Sequence, residues 1–345
     1  MFYKNIDHVR SKSNFLILTF CFFKKTYPFI FIYVILLGSA KTARTTSFSE
    51  DDVMAKVAIV TDTNSSITIK EGEEMGVFVL PMPFYIDEKP YLEELDLTQE
   101  DFYKFLSKGA DIKTSQPAPE DVMKLWDKLL TEYDEIVHIP MSSGLSGTVA
   151  TAMAMASDDP YDGKVFVVDN QRISVTLRRA VIDAANMAKA GMSGEAIRQK
   201  LLDEKTYSSI YIMMDTLYYL KKGGRITPAA AAIGTVLKIK PVLQIQGEKL
   251  DSFAKARNPK QGREIMIKQM LNDCKTRFDS PDGSLMHIDV AYSYDRETAL
   301  DFKAQVEASF PGHEIELREL PLSISCHIGP GALAIASSRK IEYNG

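Results

Sequence analysis

The stretch EIVHIPMSSGLSGTVATAMAMA, Glu135 to Ala156, decides the reading of this chain. EIVHIP (Glu135 to Pro140) is a short apolar run of strand type, and TVATAMAMA (Thr148 to Ala156) is of helix type. Between them stand four hydroxyl residues, Ser142, Ser143, Ser146 and Thr148, with Gly144 and Gly147. Backbone N–H groups at a helix start lack intrahelical partners, and the helix dipole is positive there. Hydroxyls cap such an end, and glycine allows close approach to the backbone. The turn therefore suits a phosphate or a carboxylate. An ordinary N-cap in a βα turn has the same composition, so the run alone leaves both readings open. The nucleophile elbow G-x-S-x-G fails, because Gly144-Leu145-Ser146-Gly147 brings the second glycine one residue early.

The same alternation extends outward from this stretch. KVAIVTD (Lys56 to Asp62) and KVFVVD (Lys164 to Asp169) read as strands, and FVLPMPFYI (Phe78 to Ile86) as an extended segment that two prolines confine to an edge. Helices are expected over Thr98 to Leu106, Glu120 to Tyr133 and Val175 to Lys189. Trp126 falls on an apolar stripe of the second and reads as core. Strands alternating with helices imply a parallel, Rossmann-like sheet. No G-x-G-x-x-G follows the first strand, so a dinucleotide is not supported.

Farther along, Ser209 to Asp215 reads as a strand, Ala229 to Leu237 as a small-residue helix, and Pro241 to Gln246 with Lys249 to Ala254 as a hairpin. Helices at Lys260 to Arg277 and Arg296 to Phe310 flank a strand at Met286 to Tyr292. Glu314 to Glu319, Leu322 to His327 and Ala332 to Ala336 read as closing strands. The expected fold is α/β, with a Rossmann-like N-terminal parallel sheet over residues 56–207 and a C-terminal α/β domain with a mixed sheet over 208–345.

The 345 residues carry a net charge of −5. Residues 1–55 hold seven Lys/Arg against four Asp/Glu, which leaves the remaining 290 at −8. An acidic body argues against nucleic acid as a partner. Three scattered cysteines, Cys21, Cys274 and Cys326, form no CxxC and indicate a reducing compartment. The five histidines show no metal-ligand spacing.

Residues 1–55 form an extension unlike the rest. The apolar runs Phe15 to Phe23 and Pro28 to Gly38 are each too short to span a bilayer. Lys24-Lys25, the second run and Gly38-Ser39-Ala40 partly resemble a signal peptide or anchor. The favoured expectation is a mis-assigned start, with translation beginning at Met54, and hence a cytoplasmic protein. An exported or anchored form is the alternative.

Three further segments carry concentrated polar chemistry. Lys113-Thr114-Ser115-Gln116-Pro117 places hydroxyls and an amide on a loop, where capping would also explain them. Lys221-Lys222-Gly223-Gly224-Arg225 is a basic glycine turn that lacks the P-loop pattern, and a helix C-cap is its ordinary reading. His327-Ile328-Gly329-Pro330-Gly331 sets a histidine at a strand end beside a rigid bend. Cys326 and His327 would then point to opposite faces and not pair.

In order, VTDTNSSI (Val60 to Ile67), KTSQP, SSGLSGT, LKKGGRI (Leu220 to Ile226) and HIGPG resemble the motifs of the DegV family, which includes the FakB-type fatty-acid-binding proteins. The resemblance covers Lys56 to Gly345. It departs at VVDNQRISVTLRRAV (Val167 to Val181), which lacks the small, glycine-containing pattern often seen after VVDS in the family, and Arg178 and Arg179 there would alter the pocket or its rim. The resemblance implies two α/β domains enclosing a long-chain fatty acid of palmitate or oleate kind, with no other cofactor. Its carboxylate would be held by Thr114, Ser115, Ser142 and Ser143, with His327 close by. The implied partner is an ATP-dependent fatty-acid kinase that makes the acyl phosphate, and Arg225 is a candidate contact to kinase or phosphate. Transient contact with a membrane surface is compatible with this role, and a monomer is preferred. Met153, Met155, Met213, Met214 and Ala229 to Ala232 would suit a flexible tail.

The chain would then be a carrier and not an enzyme. A serine hydrolase or esterase using Ser143 or Ser146 with His327 is the alternative from another class, and a phospho-ligand-binding regulator is a third.

Overall fold

The computed structural model describes residues 55–233, 239–247 and 249–343, together with an isolated two-residue pairing of Arg10–Ser11 with Asn14–Phe15. The architecture lies in the compact unit Met54–Gly345. Apart from that pairing and residue 55, the expectations for residues 1–55 concern positions outside the described residues, as does the end of the helix expected over 229–237.

Its first layer is a four-stranded parallel sheet. Strand β1 (Val57–Asp62) runs at its centre, and every one of its residues is buried. Parallel strands are covered on both faces, which is why VAIVTD carries a continuous run and no alternation. Helix α1 (Ile69–Met75) leads to the edge strand β2 (Val77–Leu80). A Thr68–Glu71 capping box starts α1. After Pro81-Met82 the chain enters an antiparallel three-stranded sheet, order β4-β3-β5, made of β3 (Pro83–Ile86), β4 (Lys89–Leu92) and β5 (Ile112–Thr114). Helix α2 (Gln99–Ser107) covers it, starting at the Thr98 cap.

Helix α3 (Pro119–Leu129) turns Val122, Trp126 and Leu129 inward. Trp126 is fully buried, edge-on to His138 and Tyr161, as a core residue. Strand β6 (Glu135–Ile139), helix α4 (Thr148–Ala156) and strand β7 (Val165–Val167) complete the sheet in the order β2-β1-β6-β7. Helices α5 (Ser174–Lys189) and α6 (Gly194–Asp203) follow.

The second layer is a six-stranded mixed sheet. In chain order its elements are β8 (Ser208–Met213), α7 (Tyr218–Gly223), α8 (Pro228–Ile233), β9 (Lys240–Ile245), β10 (Asp251–Ala256), α9 (Pro259–Thr276), β11 (Met286–Tyr292), α10 (Arg296–Ser309), β12 (Glu316–Glu319), α11 (Leu322–Ile328) and β13 (Leu333–Arg339). The strand order is β10-β9-β8-β13-β11-β12. Side chains alternate across it. Tyr211, Met213, Val290 and Ile335 pack on α9 and α10. Ile210, Ile212, Ala291, Ala334 and Ala336 face the other way.

One strand expectation is wrong. Leu322 to His327 is a helix, α11, and His327 stands in its last turn and not at a strand end. Pro321 precedes the helix, and Leu322, Ile324, Cys326 and Ile328 are all buried, as are Ser323 and Ser325. A helix buried on nearly all sides shows no one-sided stripe, so its alternating apolar residues imitate a strand. The separation of Cys326 and His327 still holds. Cys326 Sγ donates to Ser323 O (3.2 Å), whereas His327 engages Thr114.

Arg178 and Arg179 do not reach the pocket. Arg179 grips Asp289 of β11 through two hydrogen bonds (3.0 and 2.6 Å), and Arg178 lies against Glu71 and Glu316. Arg318 bridges the same Glu71 and Glu316. These ions tie α1 and α5 of the first layer to β11 and β12 of the second.

Candidate ligand-binding site

The open face of the six-stranded sheet, with its three alanines, leaves a cavity of about 160 Å3. That is roughly ten times the ~10–15 Å3 needed by one water, so the space suits a ligand. Its walls are apolar: Ile210, Ile212 and Ile245 from the sheet, Leu220 from α7, Ile324 and Ile328 from α11, and Met82 and Met141 from loops. Ala291 and Ala334 stand side by side in register, with Ala336 two residues on. Small side chains on a packed sheet face are what leave the room. Of the residues expected to suit the tail, none of those whose side chains are described is among these walls; Met213 packs on the opposite face of the sheet and Met153 is exposed.

The polar groups gather around one pair. Thr114 Oγ1, at the end of β5, lies 2.9 Å from His327 Nε2. Burial first, and the Arg225 guanidinium second, push His327 down to about 4, so its ring is neutral near pH 7. Ser115, Gln116, Ser146, Gly147 and Arg225 complete this end of the lining. Gly147 is the N-cap of α4, so the first-turn N–H groups of that helix start beside the cavity.

The two glycine-rich motifs make this placement sterically feasible. A Cβ on Gly223 would lie 2.2 Å from His327 Nδ1. A Cβ on Gly329, whose φ is +79°, would meet the Tyr219 ring at 2.3 Å. The KKGGR turn and the HIGPG bend are thus packed directly on one another, and Gly224, with φ +69°, caps α7. Arg225 Nη1 donates to Gly223 O, which holds the guanidinium at the cavity end.

Ser142 and Ser143, expected as carboxylate donors, are not among the residues that line this cavity. Ser142 is buried, and its Oγ accepts from Gly144 N (3.2 Å). Ser143 Oγ donates to Asp169 Oδ2 (2.7 Å) on the outer side of the turn. Both hydroxyls shape the loop, and Ser146 is the serine of the run that lines the cavity. The serine–histidine contact required by a hydrolase is made by neither candidate: Ser146 Oγ pairs with Thr148 Oγ1 (2.8 Å).

Sequence reasoning missed Asn64 and Glu93. Glu93 is buried, and burial pushes it up to about 7. It accepts from Thr63 Oγ1, Ser323 Oγ and Leu322 N, so it anchors the start of α11 and thereby sets His327. Asn64 Oδ1 accepts from Ser323 Oγ (2.7 Å). Nothing in the surrounding YLEELD marks Glu93 as different from its exposed neighbours.

A family model described as "uncharacterised protein, DegV family" matches residues 56–340. The chain belongs to the DegV family. A DegV domain-containing protein of Listeria innocua is 30% identical over 288 residues, covering 83% of this chain and 99% of its own length. The structure of a DegV family protein from Thermus thermophilus, named for its fatty acid binding, has a TM-score of 0.73 at 29% identity and covers 83% of this chain and 100% of that one. DegV of Bacillus subtilis, named a fatty acid binding protein, has a TM-score of 0.73 at 28% identity, again over 83% and 100% of the two chains. Within this DegV chain, no helix among the described residues is long and apolar enough to cross a membrane.

Proposed function

We propose that this chain binds one long-chain fatty acid, with its carboxylate at Thr114, Ser115 and His327 and its tail along the apolar cavity. The observation that carries this is the cavity itself: apolar walls with a hydroxyl, a neutral imidazole and a helix start gathered at one end. The fatty-acid binding named for the Thermus thermophilus and Bacillus subtilis proteins supports it. Burial at about 0.8 kcal/mol per CH2 gives ~11 kcal/mol for roughly 14 methylenes before ordering costs, so tight retention needs few polar contacts.

The chain is a carrier in this account and not a catalyst. Ser146, Gly147 and Arg225 line both the cavity and an open outer pocket that also includes Ser143 and Lys249. A carboxylate held there is reachable from outside, as presentation to an ATP-dependent fatty-acid kinase requires, and Arg225 stands where a transferred phosphoryl group would arrive. A cytoplasmic location follows from such a partner. The experiment is acyl-phosphate formation from ATP by a bacterial fatty-acid kinase, with fatty acid supplied on this chain. Arg225→Ala is expected to lower turnover by a larger factor than it lowers lipid affinity. Equal turnover with free and loaded fatty acid contradicts the presenting role.

A further inference from the structure

We propose that a second, polar subsite, behind the Ile210–Ile245 wall at the far end of the acyl cavity, takes the terminal carboxylate of an α,ω-dicarboxylic acid once those side chains turn aside. This rests on the acyl-binding reading above and adds a ligand class to it. Ile210 and Ile245 are register partners on adjacent strands, and both line two spaces: the apolar cavity and a separate polar pocket of about 30 Å3. The wall between the two is therefore one layer of side chains.

This pocket lies at the end of the cavity away from His327. Met213 pairs with Leu333 where the sheet runs into α7 and follows α11. Ile210 and its partner Ala336 lie three residues along the strands from there, about 10 Å at the usual rise. A chain anchored at Thr114 and His327 points its far end toward this wall.

Beyond the wall the chemistry is that of an anion site. Lys205 supplies a cation, with Gln171, Thr206 and Ser208 around it. Among the described residues, Lys205 meets its carboxylate neighbour Asp169 Oδ2 only at 3.7 Å, and that oxygen already accepts from Ser143 Oγ. The volume holds roughly two or three oxygen-sized centres, which matches a carboxylate. A methyl terminus there would offer Lys205, Gln171, Thr206 and Ser208 no hydrogen-bond partner of its own.

The test is displacement of a fluorescent fatty acid from the full chain, comparing monoacids with diacids of matched length from decanedioic to octadecanedioic acid. At one length the diacid is expected to compete within about tenfold of its monoacid, and Lys205→Met to weaken the diacid about tenfold while the monoacid stays within about twofold. Lys205→Arg should restore the diacid. Exclusion of every diacid, or diacid binding indifferent to Lys205→Met, overturns the subsite while monoacid binding survives. Failure of the monoacids as well overturns the acyl-binding reading and this subsite with it.

Discussion

Thr114 and His327 stand 213 positions apart in the chain and 2.9 Å apart in space. One ends a strand of the small antiparallel sheet, and the other closes α11. Their contact ties the two motifs at the polar end of the cavity, and it is held by packing as much as by the hydrogen bond.

Thr114→Val removes the hydroxyl and keeps the shape. It should weaken fatty-acid binding about tenfold, the size of one lost hydrogen bond to a charged group. Titration with a fluorescent fatty acid reads this directly. Unchanged affinity would separate the hydroxyl from carboxylate binding.

Gly223→Ala brings a methyl to 2.2 Å from His327 Nδ1. The imidazole must move, so this variant should lose both fatty-acid affinity and about 1–3 kcal/mol of stability, as overpacked sites do. Urea unfolding beside ligand titration separates the two effects. An innocuous Gly223→Ala would mean that His327 is not fixed by this contact.

Stability should depend on pH through His327. Its folded value, about 4, lies below the ordinary histidine value of about 6.5, so between those limits the unfolded chain binds more protons. Its contribution is therefore complete above about pH 6.5 and is lost as pH falls toward 4. Glu93 works the other way, because its folded value is raised to about 7 and its ionisation there opposes the fold. His327→Gln should flatten the acid limb of the stability curve relative to the parent protein. An acid limb of the same slope would show that His327 does not contribute to it.

Asp289 has 2% of its side chain exposed and is held by Arg179. Arg179→Met strands that carboxylate and should cost about 3–5 kcal/mol, whereas Arg179→Met with Asp289→Leu should recover much of the loss. Chemical denaturation of the four proteins gives the coupling. Additive losses would show that the pair does not act as a unit.

Much of the fold was legible because its signals are local. β6 and α4 flank the SSGLSGT turn where composition put them, and β11 covers the expected Met286–Tyr292. The parallel first sheet and the mixed second sheet also agree with expectation. What failed was α11, whose burial on nearly all sides erases the helical stripe. Of the small sheet, β3 falls within the extended segment expected over Phe78 to Ile86, whereas β4 and β5 went unread because they hold only three or four residues each and β5 pairs with β3 from well over twenty residues away. At the site, motif chemistry located Thr114, Ser115, Arg225 and His327 on the cavity. It could not choose among the serines of one turn. Ser142 Oγ accepts from Gly144 N and Ser143 Oγ donates to Asp169, contacts that only the folded chain reveals.

The central claim is tested most directly by extracting the purified protein with organic solvent and identifying released lipid by mass spectrometry. The account predicts one long-chain fatty acid per chain, with Ala336→Leu shifting the bound population to shorter chains by filling the alanine face of the cavity. A protein that carries no lipid and takes up neither palmitate nor oleate when offered would contradict it.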